Sequence, residues 1–144
     1  MALKIRLAQK NEYKLCTEIV QHAFRNYPFF QIFVDDIDKR QKFNEAILDI
    51  WCAACDSLPS PKWHLCLLAV SEAQKGYGSQ MLHRGVEPYI AKRGGGSLVF
   101  NTNAEINRKF YSKNGFEEFA SESFPANGKI LGNWSFCLKI EPQT

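Results

Sequence analysis

The chain has 144 residues, a formal net charge of +3, 45% hydrophobic residues and 13% aromatic residues. This much apolar material excludes a disordered chain. The length suits one domain with one core, spanning residues 1–144. The charge is too small and too dispersed for a nucleic-acid footprint, and no apolar run approaches the ~18–20 residues of a membrane span.

The N-terminus alternates with charges from Lys4 onward, unlike a signal peptide. The five cysteines, Cys16, Cys52, Cys55, Cys66 and Cys137, are scattered. Without an export signal they are expected to be reduced thiols in a cytoplasmic protein.

In chain order, Leu3, Ile5 and Leu7 alternate with Lys4 and Arg6, predicting a half-buried first strand. Asn11 is placed to cap a helix over Glu12 to Arg25, with Leu15, Ile19, Val20 and Phe24 on one face, and Pro28 ends it. The run Phe29 to Val34 reads as core, or as the wall of a pocket. Asp35, Asp36 and Asp38 open a second helix to about Asp56, with Phe43, Ile47, Ile50, Trp51 and Ala54 inward. Cys52 and Cys55 have the spacing of a redox motif. They fall late in that helix, away from the N-terminus that would stabilise a thiolate, and no second pair completes a zinc site. His22, His64 and His83 stand apart and read as surface or packed histidines.

After the linker Leu58 to Pro61, Leu65 to Val70 has the length of a buried central strand. A glycine-bearing turn follows, Gly76-Tyr77-Gly78-Ser79, and then a helix to about Arg93 that Pro88 kinks. Strand, glycine turn and helix together aim backbone N–H groups at one point, where a phosphate would bind. The turn is not a P-loop, because no lysine precedes Ser79, nor a dinucleotide fingerprint, because Met81 stands where a third glycine belongs.

Gly94 to Gly96 reads as a loop, and Ser97 to Asn101 as a second buried strand, joined to the first by a right-handed parallel crossover. Thr102 and Glu105 resemble a capping box opening a helix from Glu105 to Lys113, which Gly115 closes. Two strands, Phe116 to Ser123 and Leu131 to Ile140, flank a turn at Asn127-Gly128.

Two motifs now stand about 30 residues apart: Leu68-Ala69-Val70…Lys75-Gly76-Tyr77-Gly78-Ser79, and Asn107…Phe110-Tyr111…Gly115-Phe116. Together they resemble those of the GCN5-related N-acetyltransferases, the GNAT superfamily, over Trp63 to Phe119. The resemblance implies an α/β (α+β) fold, with a mixed, mostly antiparallel central sheet flanked by helices.

It also implies an acetyl-CoA-dependent N-acetyltransferase. The pyrophosphate would rest on Lys75, Gly76, Tyr77, Gly78 and Ser79. The pantetheine arm would lie beside Leu68, Ala69 and Val70, against Asn107 and Phe110. Tyr111 would be the catalytic acid toward the leaving sulfur, with Glu72 and Glu105 as candidate bases. The acceptor would be a small-molecule or peptide amine, with no metal, nucleic acid or membrane involved.

Three departures qualify this. Ala73 stands where the family loop begins with Gln or Arg, and the segment before Gly76 is short. Asn101 replaces a glutamate. Leu58 to Lys62 is too short for the family's hairpin, which would need on the order of 12 residues. The first strand would then pair antiparallel with the central one, or a second subunit would cover that edge in a homodimer. The alternative readings are a catalytically impaired or inactive CoA-binding domain and an interaction protein using Phe29 to Val34 as an apolar patch.

Overall fold

The computed structural model describes residues 4–32 and 37–144, with the side chains at 37, 40, 43, 44, 47 and 50 outside the description. The expectations for Leu3, for Phe33 to Asp36 and for the side chains of Phe43, Ile47 and Ile50 therefore lie outside the described residues.

Residues 4–9 form no strand. Arg6 instead forks onto Glu12, at 2.7 and 2.6 Å, and the Glu12 carboxylate also accepts the Gln9 N–H at 2.8 Å. A 3-10 turn, Lys10–Glu12, leads into α1, Tyr13–Ala23. The N-terminal stop is thus built on Gln9 and Glu12, not on Asn11.

Pro28 does not end that helix, which closes at Ala23. It is the first residue of α2, Pro28–Ile32, where a missing N–H costs nothing. Helix α3, Ile37–Cys55, follows, with Trp51 and Cys55 buried.

Four strands make one mixed sheet in the order β1-β2-β4-β3. They are β1, Lys62–His64; β2, Gly96–Thr102; β3, Glu117–Ala126; and β4, Lys129–Ile140. β1 runs parallel to β2, while β2 and β3 each pair antiparallel with β4. The β1–β2 crossover is made by a helical rod: α4, Tyr77–Met81; a π-helical turn, Leu82–Val86; and α5, Glu87–Ala91. Pro88 leaves its mark in the turn before it. Proline lacks the N–H for the next bond and its ring crowds the carbonyl a turn earlier, so the preceding turn widens and Glu87 N–H reaches Leu82 C=O.

Strand alternation assigns β2 to two cores. Leu98 and Phe100 face a cluster with Leu82, Ile90, Tyr111, Phe116 and Phe136. Val99 faces Trp51 and Cys55 of α3. A third cluster packs Phe29 and Ile32 of α2 against Ala126 and Leu131 of the β3–β4 hairpin.

The hairpin turn is two residues long. Asn127 and Gly128 have φ of 48° and 74° between the paired Ala126 and Lys129, the geometry that suits twisted strands. Gly95 and Gly96 sit where chains cross closely: a Cβ would come within 2.3 Å of the Ile140 oxygen and 2.2 Å of the Pro61 oxygen, respectively.

Two expectations are corrected here. The apolar run Leu65–Val70 is not the strand; the β1 ladder covers Lys62–His64 and its last bond is Leu65 N–H to Val99 C=O, 2.9 Å. Residues 4–9 do not pair with this strand; Ile5 packs near Gly85 of the rod instead. Among the described residues no hairpin precedes β1, and β1 has β2 as its one partner.

Candidate active site

Because β1 leaves β2 after a short ladder, the chain from Leu65 onward opens away from the sheet. A cavity of about 1150 Å³ lies in the resulting cleft. Leu65, Leu67, Leu68 and Val70 form one wall, Phe100 to Asn103 another, and Asn107, Phe110 and Tyr111 a third.

Helix α6, Glu105–Lys113, carries that third wall. Its N-cap is Ala104 in extended geometry, not Thr102. Its C-terminal end closes through Gly115 at φ +86° and a Phe116 N–H to Tyr111 C=O bond of 3.1 Å.

The glycine turn forms the mouth. Gly76 is left-handed at φ +73° and open on all sides. Gly78 has a different reason: a Cβ there would stand 3.0 Å from the Phe110 ring, so its lack of a side chain lets α6 lie against the start of α4. The rod's first bond is Gln80 N–H to Gly76 C=O, 3.1 Å. The N–H groups of Tyr77, Gly78 and Ser79 stand ahead of it, without intrahelical acceptors.

Of the residues expected at a site, Leu68, Val70, Gly76, Tyr77, Gly78, Ser79, Asn107, Phe110 and Tyr111 line this one cavity. Ala69 and Lys75 are not among its lining residues; the lysine that lines it is Lys113, from the end of α6. Glu72 lines the cavity, but Glu105 is exposed and paired with Arg108 at 3.2 Å.

Tyr111 is 8% exposed, with its ring against Phe100, Phe110 and Phe116. Burial disfavours the phenolate and pushes the hydroxyl up to about 12. Its hydroxyl has no hydrogen-bond partner among the described residues.

One helical turn earlier, Asn107 Nδ2 donates to Thr102 Oγ1 at 3.0 Å. Thr102 Oγ1 also meets the Tyr27 hydroxyl at 3.1 Å, and that hydroxyl accepts the Asn103 N–H at 2.6 Å. This chain ties the α1–α2 corner to α6. Beside it, Asn133 Oδ1 receives the Nδ2 groups of Asn101 and Asn103, at 2.8 and 3.3 Å.

Sequence reasoning missed Tyr27, Thr102 and Asn103 as a linked set. Tyr27 adjoins the aromatic run already singled out, but its partners lie some 75 residues on in sequence.

The remaining candidates fall elsewhere. Cys52 is exposed and Cys55 buried, and burial pushes the Cys55 thiol up to about 11, the opposite of a reactive thiolate. His83 sits between Glu87 and Asn114, at 2.5 and 2.9 Å, outside the cavity. The His64 ring packs on Trp51. Among the described residues no cluster of three or more His, Cys, Asp and Glu could hold a metal ion. No helix is long and apolar enough to cross a membrane, again among the described residues.

The fold and site define a mixed α/β domain with helices on both faces of its sheet and a large cleft where a parallel strand pair separates. Comparison with protein-family models and with curated proteins finds no match to this chain.

Proposed function

We propose that the protein is a GNAT-like N-acetyltransferase that moves an acetyl group from acetyl-CoA to an amine. The observation that carries this reading is the convergence of the Gly76–Ser79 turn, the Leu65–Val70 wall and the Asn107–Tyr111 face of α6 on one cavity. Its volume of about 1150 Å³ exceeds the usual range for one drug-sized ligand, which suits two substrates held together.

In this reading the free N–H groups of Tyr77, Gly78 and Ser79 take the diphosphate, and Lys113 supplies the cation expected from Lys75. The amide-bearing arm of the cofactor lies along Leu65 to Val70. The amine lone pair attacks the thioester carbonyl carbon, the C–S bond breaks, and the electron pair leaves on sulfur.

Tyr111 acts there as a hydrogen-bond donor. A phenol pushed up to about 12 is a much weaker acid than a thiol near 8.5, so it stabilises the departing thiolate without surrendering its proton to it. The proton that sulfur finally takes is the one the amine releases, by way of water. Among the described residues Glu72 is the carboxylate in the lining.

The test is calorimetry with acetyl-CoA on the wild-type protein, expected to give micromolar affinity, about −8 kcal/mol, followed by a transfer assay. Tyr111→Phe should leave that affinity within about threefold. It should lower turnover roughly 10–100-fold, the worth of one hydrogen bond to a charged group. Unchanged turnover would remove Tyr111 from the chemistry.

A second reading, a domain that holds CoA without catalysis, is favoured by Asn101. Its amide cannot accept a proton at neutral pH and is already bonded to Asn133. Binding without transfer to any amine would select it. A homodimer covering the free edge of β1 remains part of the proposal, and sedimentation would report it.

A further inference from the structure

We propose that the acceptor is a primary aromatic amine that arrives uncharged, its ring held by Phe24, Tyr27 and Phe30 and its nitrogen met by the side-chain oxygens of Asn101 and Asn103. This rests on the acetyl-transfer reading and names the substrate class for the same cavity.

The first observation is the aromatic corner. Phe24, Tyr27 and Phe30 all line the cavity. Their rings form a tilted series, with centroids 5.2 Å apart for Phe24–Tyr27 and 5.9 Å for Tyr27–Phe30. Such tilted faces take a further ring edge-on or offset. Phe30 is 42% exposed, although it is a large apolar side chain at a cavity wall.

The second observation places this corner next to the reacting end. Tyr27 reaches Asn107 through the single oxygen of Thr102, by contacts of 3.1 and 3.0 Å. Asn107 and Tyr111 are four residues apart on α6, one above the other on the same helix face. A ring resting on Tyr27 therefore lies close to the wall that carries Tyr111.

The third observation concerns the nitrogen. Asn101 and Asn103 are two apart, on the same side of the chain leaving β2, and both line the cavity. Their Nδ2 groups are committed to Asn133, and that of Asn103 also donates to Gly132 C=O at 2.8 Å. Each side chain therefore keeps its Oδ1 as an acceptor, and neither Oδ1 has a partner among the described residues. Two neutral acceptors match the two N–H donors of a neutral primary amine.

They do not compensate an ammonium taken out of water, which needs a charged partner. Among the described residues the charged groups in the lining are Glu72, four residues before Gly76, and Lys113, at the end of α6; neither belongs to the aromatic corner or to the Asn101–Asn103 wall. An amine whose lone pair is conjugated into its ring is unprotonated at neutral pH, so no residue has to deprotonate it before attack. As C–N forms and C–S breaks, the nitrogen sheds one proton to water, the thiolate gains one, and the products are the aromatic amide and free CoA thiol.

The test uses the full chain and three acceptors: aniline, spermidine and a lysine-containing peptide. Saturation-transfer NMR with aniline, with and without acetyl-CoA, reads binding; CoA-thiol release reads transfer. Aniline should bind and should exceed the other two in kcat/KM by about tenfold or more, the range of a ring contact. Phe30→Ala should raise the KM for aniline about tenfold and leave the affinity for acetyl-CoA unchanged, with Phe24→Leu as the second variant should the first not fold. Asn101→Asp should shift the preference toward spermidine.

Better binding or turnover of spermidine or the peptide would overturn the proposal, as would an aniline signal indifferent to both ring variants. Aniline bound at this corner by a protein that ignores acetyl-CoA would support the ring site while removing the transfer reading. Failure of aniline to bind under either condition would overturn the ring site itself.

Discussion

Replacing Tyr111 by phenylalanine should change how the protein responds to alkali. An exposed tyrosine ionises near 10, whereas burial pushes Tyr111 up to about 12. Below pH 10 the phenol is neutral in both folded and unfolded chains and its contribution is fully present. Between pH 10 and 12 the unfolded chain releases a proton that the folded chain holds, so the unfolded state gains and stability falls. At pH 11 the difference amounts to about 1.4 kcal/mol, relative to pH 8.

The variant has no such proton. Urea denaturation of both proteins at pH 8, 9, 10 and 11 isolates the effect, because other alkaline losses are common to the two. The wild type should lose about 1.4 kcal/mol more than the variant over that range. Near pH 8 the variant should be no less stable, since a hydroxyl without a protein partner gives little back for its desolvation. Parallel pH profiles would refute the burial argument and the donor role built on it.

Gly95→Ala should destabilise severely, by about 3 kcal/mol or more, because its Cβ would stand 2.3 Å from a backbone oxygen at φ +70°. Gly76→Ala has a similar φ of +73° but open space around it, and should cost only about 1–2 kcal/mol of left-handed strain; thermal melts that rank the two the other way would refute this. Glu12 is held down at about 2, first by its side-chain bond to Arg6 and then by the Gln9 N–H. The stability it provides is present above about pH 4.5 and lost as pH falls through about 2, so Glu12→Gln should flatten the acid limb of the melting profile in that window. An unchanged limb would mean that solvent screens the pair completely.

The elements legible in the sequence were those that local chemistry decides. Helix α6 begins and ends at the residues its charges and glycine announce, Glu105 and Lys113, and Asn127-Gly128 makes the hairpin its backbone freedom favours. What misled was hydrophobic pattern without context. Leu65 to Val70 is apolar because it walls a cavity, and an apolar run cannot by itself separate that from a buried strand. Leu3 to Leu7 alternates as a strand would, yet residues 4–9 find no sheet edge to join. Pro28 reads equally as a stop or as a start.

At the site, the glycine turn and Asn107 to Tyr111 were legible because each lies within one continuous segment. The Tyr27–Thr102–Asn107 link was not, because it joins segments far apart in the chain. That Lys113 and not Lys75 lines the cavity was hidden for the same reason: which cation reaches it depends on how α6 packs on α4.

The early separation of β1 from β2 has a further consequence for measurement. The ladder ends with Leu65 N–H on Val99 C=O, so the amides just past it on either branch are open to water when nothing lies between them. Deuterium should enter there fast, while the antiparallel side of β2, bonded to β4 along its whole length, should resist. A guest running along that fork would slow exchange at Leu67 to Val70, and a guest held only by side chains would not. Isotope uptake can thus distinguish a backbone-bound guest from one merely lodged in the space.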